Sequence, residues 1–130
     1  MIASVTTRDD IAAFNVRFSR ALEQGAFDVI AAMYAEDAQF LLAGAPSVRG
    51  RGAIIEMMRE RHEVSPTVLT VTSGDIWEAG GLIVDVGRIE IAGDPPIQGR
   101  ELVVYRRAAN GELELLLDVP IADPETTPDN

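Results

Sequence analysis

Residues 100–122, RELVVYRRAANGELELLLDVPIA, contain two β-rich runs joined at Asn110-Gly111. Asn-Gly is typical of a tight hairpin turn, because both residues tolerate a positive φ. The upstream runs TVLTVTSGDIW and LIVDVGRIEIA are also rich in β-branched residues with period-two alternation. Gly80-Gly81 separates these two runs, and GDPPIQG separates the second from the hairpin. We therefore predict four long antiparallel strands in the second half of the chain.

The first half has helical rather than strand periodicity. Thr7 with Asp10 resembles a capping box, and the apolar spacing that follows predicts a helix from about Arg8 to Glu23, closed by Gly25. Three further elements are predicted before the sheet: a helix over 26–34, a strand over 38–42 and a third helix in which Ile54, Met57, Met58 and Arg61 share one side. Helices followed by an antiparallel sheet predict an α+β domain.

Length and composition indicate one soluble domain. The chain has 130 residues, of which 47% are hydrophobic and 25% charged. We predict a domain over 1–122 and a flexible acidic tail over 123–130, because the tail DPETTPDN has no apolar residue. The first residues show no export signal, which favours a cytoplasmic location.

Charge and missing residue types exclude several functions. The formal net charge of -10 disfavours nucleic acid and anionic membranes as partners. The sequence has no cysteine and no lysine, and His62 is its only histidine. Thiol chemistry, lysine Schiff bases and zinc sites of several histidines are therefore excluded. We expect neither a cofactor nor a metal.

Three strings resemble the NTF2-like superfamily, particularly its SnoaL-like and DUF4440 branches, to which ketosteroid isomerase is related. They are ALEQGAFDVIAAMYAEDAQF, VRGRGAI and LVVYRRAANGELELLLD, and the likeness covers roughly Arg8 to Asp123. The resemblance implies an NTF2-like cone, in which a strongly curved antiparallel sheet wraps around three N-terminal helices. It also implies an apolar cavity between helix one, helix three and the concave sheet face, and frequent dimerisation through the sheet.

The catalytic residues of ketosteroid isomerase have no counterpart. By ungapped matching, its oxyanion-hole tyrosine, oxyanion-hole acid and aspartate base fall on Phe18, Val103 and Leu42. These side chains can neither donate to an enolate nor accept a proton, so classical ketosteroid isomerase activity is not expected. The limonene epoxide hydrolase type has a last-strand aspartate, and only that residue has a counterpart here, Asp118.

Alternation divides the last strand into two faces. The resemblance places one set towards the cavity: Glu114, Leu116, Asp118 and Pro120. The other set would lie on the convex side: Leu113, Leu115, Leu117 and Val119. Large apolar residues on an outer face suggest a homodimer through Leu113, Leu115 and Leu117. The opposite parity, with these leucines in the core, stays open.

The candidate catalytic residues are Asp118, Asp85 and Tyr105. Two buried carboxyl groups would repel each other and favour a protonated form for one, which suits acid–base chemistry. The opposite parity of Asp85, and a purely structural role for both acids, stay open. The expected ligand-pocket residues are Phe14, Phe18, Tyr34, Leu42, Met57, Met58, His62, Trp77, Glu101, Val103 and Leu116.

Three functions remain open at this point. The first is a protein that binds an apolar small molecule, or a cofactor-free isomerase, cyclase or dehydratase in which Asp118 is acid or base and Tyr105 donates to developing charge. The second is a non-catalytic dimerisation module of the NTF2-like type. The third, ranked last, is a divalent metal held by Asp85, Asp118 and Glu101.

Overall fold

The computed structural model describes residues 2–124 and shows helices followed by a sheet. This confirms the α+β prediction. The helices are α1 (Val5–Gln24), α2 (Phe27–Met33) and α3 (Arg51–Val64). The strands are β1 (Tyr34–Phe40), β2 (Val48–Arg49), β3 (Leu69–Ala79), β4 (Leu82–Ile91), β5 (Ile97–Arg107) and β6 (Leu113–Ala122).

The strands form one sheet in the order β2-β1-β6-β5-β4-β3. The neighbours are antiparallel except β1 and β6, which run parallel. A parallel pair needs a long connection, and here that connection contains α3 and three strands of the predicted meander. Helix α1 packs on β3 and α3 packs on β1. The hydrophobic core therefore lies between the helices and the inner face of the sheet.

Helix α1 begins earlier than predicted and ends where predicted. Its N-cap is Ser4, whose Oγ accepts a hydrogen bond from the Thr7 backbone N–H at 3.1 Å, so a capping box starting at Thr7 is wrong. Gly25 adopts φ 68° at the C-terminus, which confirms the predicted helix end.

Strand β1 begins inside the range that was predicted for the second helix. Tyr34 is the first residue of β1, so the predicted helix over 26–34 is one residue too long at each end and the predicted strand start at Ala38 is too late. The Tyr34 carbonyl oxygen accepts hydrogen bonds from Nε and Nη2 of Arg51, at 2.9 and 2.8 Å. Arg51, at the start of α3, thus fixes the first residue of the strand.

A β-bulge at Leu116 changes the faces of the last strand. Val104 pairs with Leu117, whereas the next residue, Tyr105, pairs with Leu115. Leu116 therefore has no partner on β5 and the alternation of side chains slips by one residue. The run of three leucines gives no sign of this bulge.

Because of the bulge, two of the three leucines predicted for the dimer surface do not lie on the outer face. Leu115 is 4% exposed and belongs to the core, and Leu113 lies against α1, so neither is on the outer face. Glu114 lies outside, where it pairs with Arg106 at 3.0 Å, instead of facing the cavity. Only the residues after the bulge keep their predicted faces, with Asp118 inside.

The strand contacts extend past the predicted domain boundary. The Asp123 backbone N–H donates to the Gln98 carbonyl at 2.8 Å, and its carboxylate accepts from Arg88 at 2.8 Å. The rest of the predicted tail, 125–130, lies outside the described residues. Between residues 2 and 124, no helix combines the length and apolar character that a membrane span requires.

Candidate functional site

An apolar cavity of about 470 Å³ lies between α1, α3 and the inner face of the sheet. Its helical side includes Phe18, Leu22, Met57 and Met58, and Phe40 and Leu42 extend the wall along β1 and the residues after it. The sheet side is formed by Ile89, Ile91 and Ile97 of β4 and β5. The resemblance implied a cavity in this place, and these side chains leave it open.

Two acids interrupt the apolar wall. Asp118 on β6 is 5% exposed, and its Oδ2 accepts a hydrogen bond from the Tyr34 hydroxyl at 2.8 Å. Its Oδ1 is buried and has no hydrogen-bond partner among residues 2–124. Glu101 on β5 is its diagonal neighbour on the same face, because Glu101 pairs with Pro120 and Val103 pairs with Asp118. Both acids line the cavity.

Burial of two neighbouring carboxyl groups favours a proton on the pair. Burial, reinforced by the neighbouring Asp118, raises the pKa of Glu101 to about 9. Burial also raises the pKa of Asp118, but the hydrogen bond from Tyr34 opposes that rise. Asp118 accepts the hydrogen bond from the Tyr34 hydroxyl, which favours the negative charge on Asp118 and the proton on Glu101. Burial and the Asp118 charge raise the pKa of Tyr34 well above its usual value, so Tyr34 remains a hydrogen-bond donor.

Aromatic rings pack against both buried tyrosines of the site. Phe18 packs edge-on against Tyr34 with ring centroids 6.0 Å apart, and Phe14 packs edge-on against Tyr105 at 5.3 Å. Such contacts hold both tyrosine rings in fixed orientations. Asp118 is consequently oriented by a tyrosine that is itself fixed at its backbone and at its ring.

Tyr105 lies near the acid pair, but its hydroxyl is turned elsewhere. It donates to Oδ1 of Asn15 at 3.4 Å, and Asn15 in turn donates from Nδ2 to the Ser73 hydroxyl at 3.2 Å. Sequence reasoning missed Asn15. An available signal was a polar residue four positions after Ile11, on the apolar side of the first helix.

Asp85 also faces inward, but it is separated from Asp118. Val103 pairs with Asp85 on one side and Asp118 on the other, so the two acids are two strands apart, or about 10 Å. Oδ1 of Asp85 accepts a hydrogen bond from the Gly74 N–H at 3.1 Å. Burial raises the pKa of Asp85 and this hydrogen bond opposes the rise. The acid next to Asp118 is Glu101. Asp85 instead stabilises the stretch of β3 between Thr72 and Asp75, where the pairing with β4 shifts its register.

The three-acid metal site is not formed. Within residues 2–124, no three His, Cys, Asp or Glu side chains lie together in a set that could hold a metal ion. The separation of Asp85 from Asp118 by two strands accounts for this.

Several predicted pocket residues line the cavity, and others lie beside it. Phe18, Leu42, Met57, Met58 and Glu101 line the cavity together with Asp118. Three lie next to it: Phe14 contacts Tyr105, Val103 is buried between the inward acids, and Leu116 is partly buried in the bulge.

The structure places two predicted pocket residues away from the cavity. His62 packs edge-on against Phe27 at 5.5 Å, and its Nε2 lies 2.8 Å from the position that a Cβ on Gly25 would occupy. It therefore fills the space at the turn between α1 and α2. Trp77 is 42% exposed, because its neighbour Ile76 takes the inward position on β3. Neither residue contributes to the acid pair.

The match to a family model of sequence identifies the family. Residues 16–114 match the sequence model of the SnoaL-like domain. The chain belongs to the SnoaL-like family. Solved structures place this SnoaL-like protein among ketosteroid isomerase-like and NTF2-like folds. A search of curated protein sequences finds no significant match.

Three solved structures illustrate the likeness. ActVI-ORFA from Streptomyces coelicolor is 18% identical, with a TM-score of 0.77 over 92% of this chain and 98% of that one. A cystatin-like protein from Nostoc punctiforme is 13% identical, with a TM-score of 0.80 over 95% and 96%. A ketosteroid isomerase-like protein from Erwinia carotovora is 15% identical, with a TM-score of 0.73 over 90% and 96%. At these identities the likeness concerns the fold alone.

Proposed function

We propose that this SnoaL-like protein binds an apolar small molecule in its cavity and catalyses a cofactor-free proton transfer on it, as in an isomerase, cyclase or dehydratase. The observation that carries the proposal is the Glu101–Asp118 pair in the cavity wall. In this proposal the two carboxyl groups hold one proton between them, and within residues 2–124 Oδ1 of Asp118 is buried without a hydrogen-bond partner. This combination provides a base and an acid side by side at neutral pH.

The pair supports a balanced proton transfer. Asp118 removes a proton from a carbon next to a carbonyl group through Oδ1, while Tyr34 holds Oδ2. Neutral Glu101 donates its proton to the oxygen on which negative charge develops, which leaves Glu101 charged, Asp118 protonated and the substrate as an enol. Transfer of one proton between the neighbouring carboxyl groups then restores the starting state. The apolar walls exclude water, which strengthens each of these interactions.

Classical ketosteroid isomerase chemistry remains outside this proposal. Phe18 and Leu42 lie in the cavity wall and Val103 is buried beneath it, so the three matched positions are apolar in the structure as well. Tyr105 is also an unsuitable donor to the reacting atoms, since its hydroxyl bonds to Asn15. The chemistry is assigned to Asp118 and Glu101, with Tyr34 as a positioning residue.

Ligand binding is expected to raise the melting temperature, because a ligand that binds only the native state stabilises it by mass action. The measurement is a thermal-shift screen with apolar keto and hydroxy compounds. Binding compounds should raise the Tm of the natural protein by several degrees. Leu42→Trp should abolish these shifts by filling the cavity, whereas Leu82→Trp, at an exposed leucine on β4, should retain them. The proposed cavity site would be contradicted if no compound raised the Tm, or if both variants showed equal shifts in Tm.

The outer face of the sheet favours a second candidate, dimerisation. Two apolar rows cross the three central strands there: Val84–Val104–Leu117 and Val86–Leu102–Val119. They face away from the core because their neighbours Asp85, Val103 and Asp118 face inward. These rows replace the outer face that the sequence indicated, and Leu117 and Val119 are common to both.

We expect Val104→Asp to dissociate the dimer, because it places a charge in the centre of the apolar rows. Sedimentation equilibrium at micromolar concentrations measures this. Gln98→Asp is the matched control, since it adds the same charge on the same strand outside both rows. A monomeric natural protein, or a dimer that survives Val104→Asp, would refute the interface.

A further inference from the structure

The mouth of the cavity lies between the C-terminal end of α3 and the ends of β5 and β6. Four lining residues are exposed: Arg61, Ser65, Ile97 and Ala122. Phe18 and Asp118, in contrast, line the cavity but are buried. The exposed lining residues show that the cavity opens beside Arg61, and the buried ones show that it is closed at the acid pair.

Arg61 is the single positively charged residue in the described lining of the cavity. Other arginines of the protein bind acids, as Arg88 binds Asp123 and Arg107 binds Asp10. Within residues 2–124, the Arg61 side chain makes no ion pair and no hydrogen bond with protein atoms. Its guanidinium donors are therefore available to a molecule in the mouth, where Ser65 and Thr67 add hydroxyl groups.

We propose that the ligand of this cavity is an amphipathic anion, an apolar body with a carboxylate at one end that Arg61 binds at the mouth. This inference rests on the proposed function and specifies its substrate class. A guanidinium recognises a carboxylate through two parallel hydrogen bonds. The protein carries a net charge of -10, so its general field repels an anion, and a local cation at the entrance is needed to offset that repulsion.

Electrostatics also selects one orientation of such a ligand. A ligand carboxylate at the closed end would lie against the Glu101–Asp118 pair in apolar surroundings, where no cation of the described lining offsets the cost of its desolvation. The anionic end therefore stays at Arg61, and the apolar end reaches the acid pair. The reacting C–H group of the substrate lies on the part of the molecule remote from its carboxylate.

The experiment compares matched carboxylates and methyl esters. The probes are phenylacetate, 2-naphthylacetate and 1-pyreneacetate with their methyl esters, and binding is measured by calorimetry or fluorescence. In the natural protein we expect the best-fitting carboxylate to bind about tenfold more tightly than its ester at low salt. Arg61→Gln should remove this preference while leaving the affinity for the ester unchanged.

Arg100→Gln is the control, because it removes the same charge from an exposed position on the outer side of β5. It should retain the preference for the carboxylate. Equal binding of acid and ester in the natural protein, or a preference that survives Arg61→Gln, would overturn the inference while the cavity remains a ligand site. Failure of all six probes to bind would overturn this inference and count against the proposed cavity site, which the separate keto and hydroxy screen tests without any anion.

Discussion

Asp118→Asn is expected to slow the hydrogen–deuterium exchange of a bound ketone by at least about 100-fold. Proton abstraction next to a carbonyl group is the first step of the proposed chemistry. In D₂O the abstracted proton exchanges with solvent, and a deuteron is then delivered to the carbon. Asn has nearly the same shape as Asp but cannot accept the proton. NMR of the methylene signal of a ketone that raises the Tm measures the exchange without knowledge of the natural product.

Asp85→Asn is the matched control, because it makes the same change at another buried acid on the inner face. We expect it to retain the exchange rate, since Asp85 accepts a hydrogen bond from Gly74 and lies two strands from Asp118. An Asn side chain can still accept that hydrogen bond. Equal loss in both variants would contradict the assignment of Asp118 as the base, as would full exchange in Asp118→Asn.

The protein is expected to lose stability as the pH rises from about 5 to 9. The pKa of Glu101 is about 9 in the folded state, against 4.5 for a free glutamate side chain. Between these values the folded state binds more protons than the unfolded state, so the free energy of unfolding falls with rising pH. The raised pKa values of Asp118 and Asp85 act in the same direction. The expected total loss is on the order of 3 kcal/mol, since Glu101 is partly exposed and shares its proton.

Urea unfolding at a series of pH values between 5 and 9 measures this dependence. Glu101→Gln should flatten the profile and make the protein more stable than the natural one at pH 9, because an amide stays neutral. Glu90→Gln, at an exposed position on the outer face of β4, should leave the profile unchanged. A flat profile in the natural protein would show that Glu101 ionises freely and is not the acid of the pair.

The sequence was sufficient for the family, the order of the elements and much of the cavity wall. Asn110-Gly111 and the β-rich runs are local signals that specify a hairpin and its strands. Gly25 likewise marks the end of α1 through its backbone conformation. Phe18, Met57 and Met58 could be assigned to the cavity, because helical spacing places them on the apolar sides of α1 and α3.

Only the tertiary structure decided which acids meet and which leucines face outward. The bulge at Leu116 depends on how β5 and β6 align, and a single unpaired residue reverses the direction of every side chain before it. Glu101 lies beside Asp118 because the two residues are diagonal neighbours on adjacent strands. This proximity depends on the register between β5 and β6 and not on spacing along the chain. Local patterns determine the elements, since they arise from neighbouring residues, whereas the acid pair arises from contacts between strands and is set when the sheet assembles.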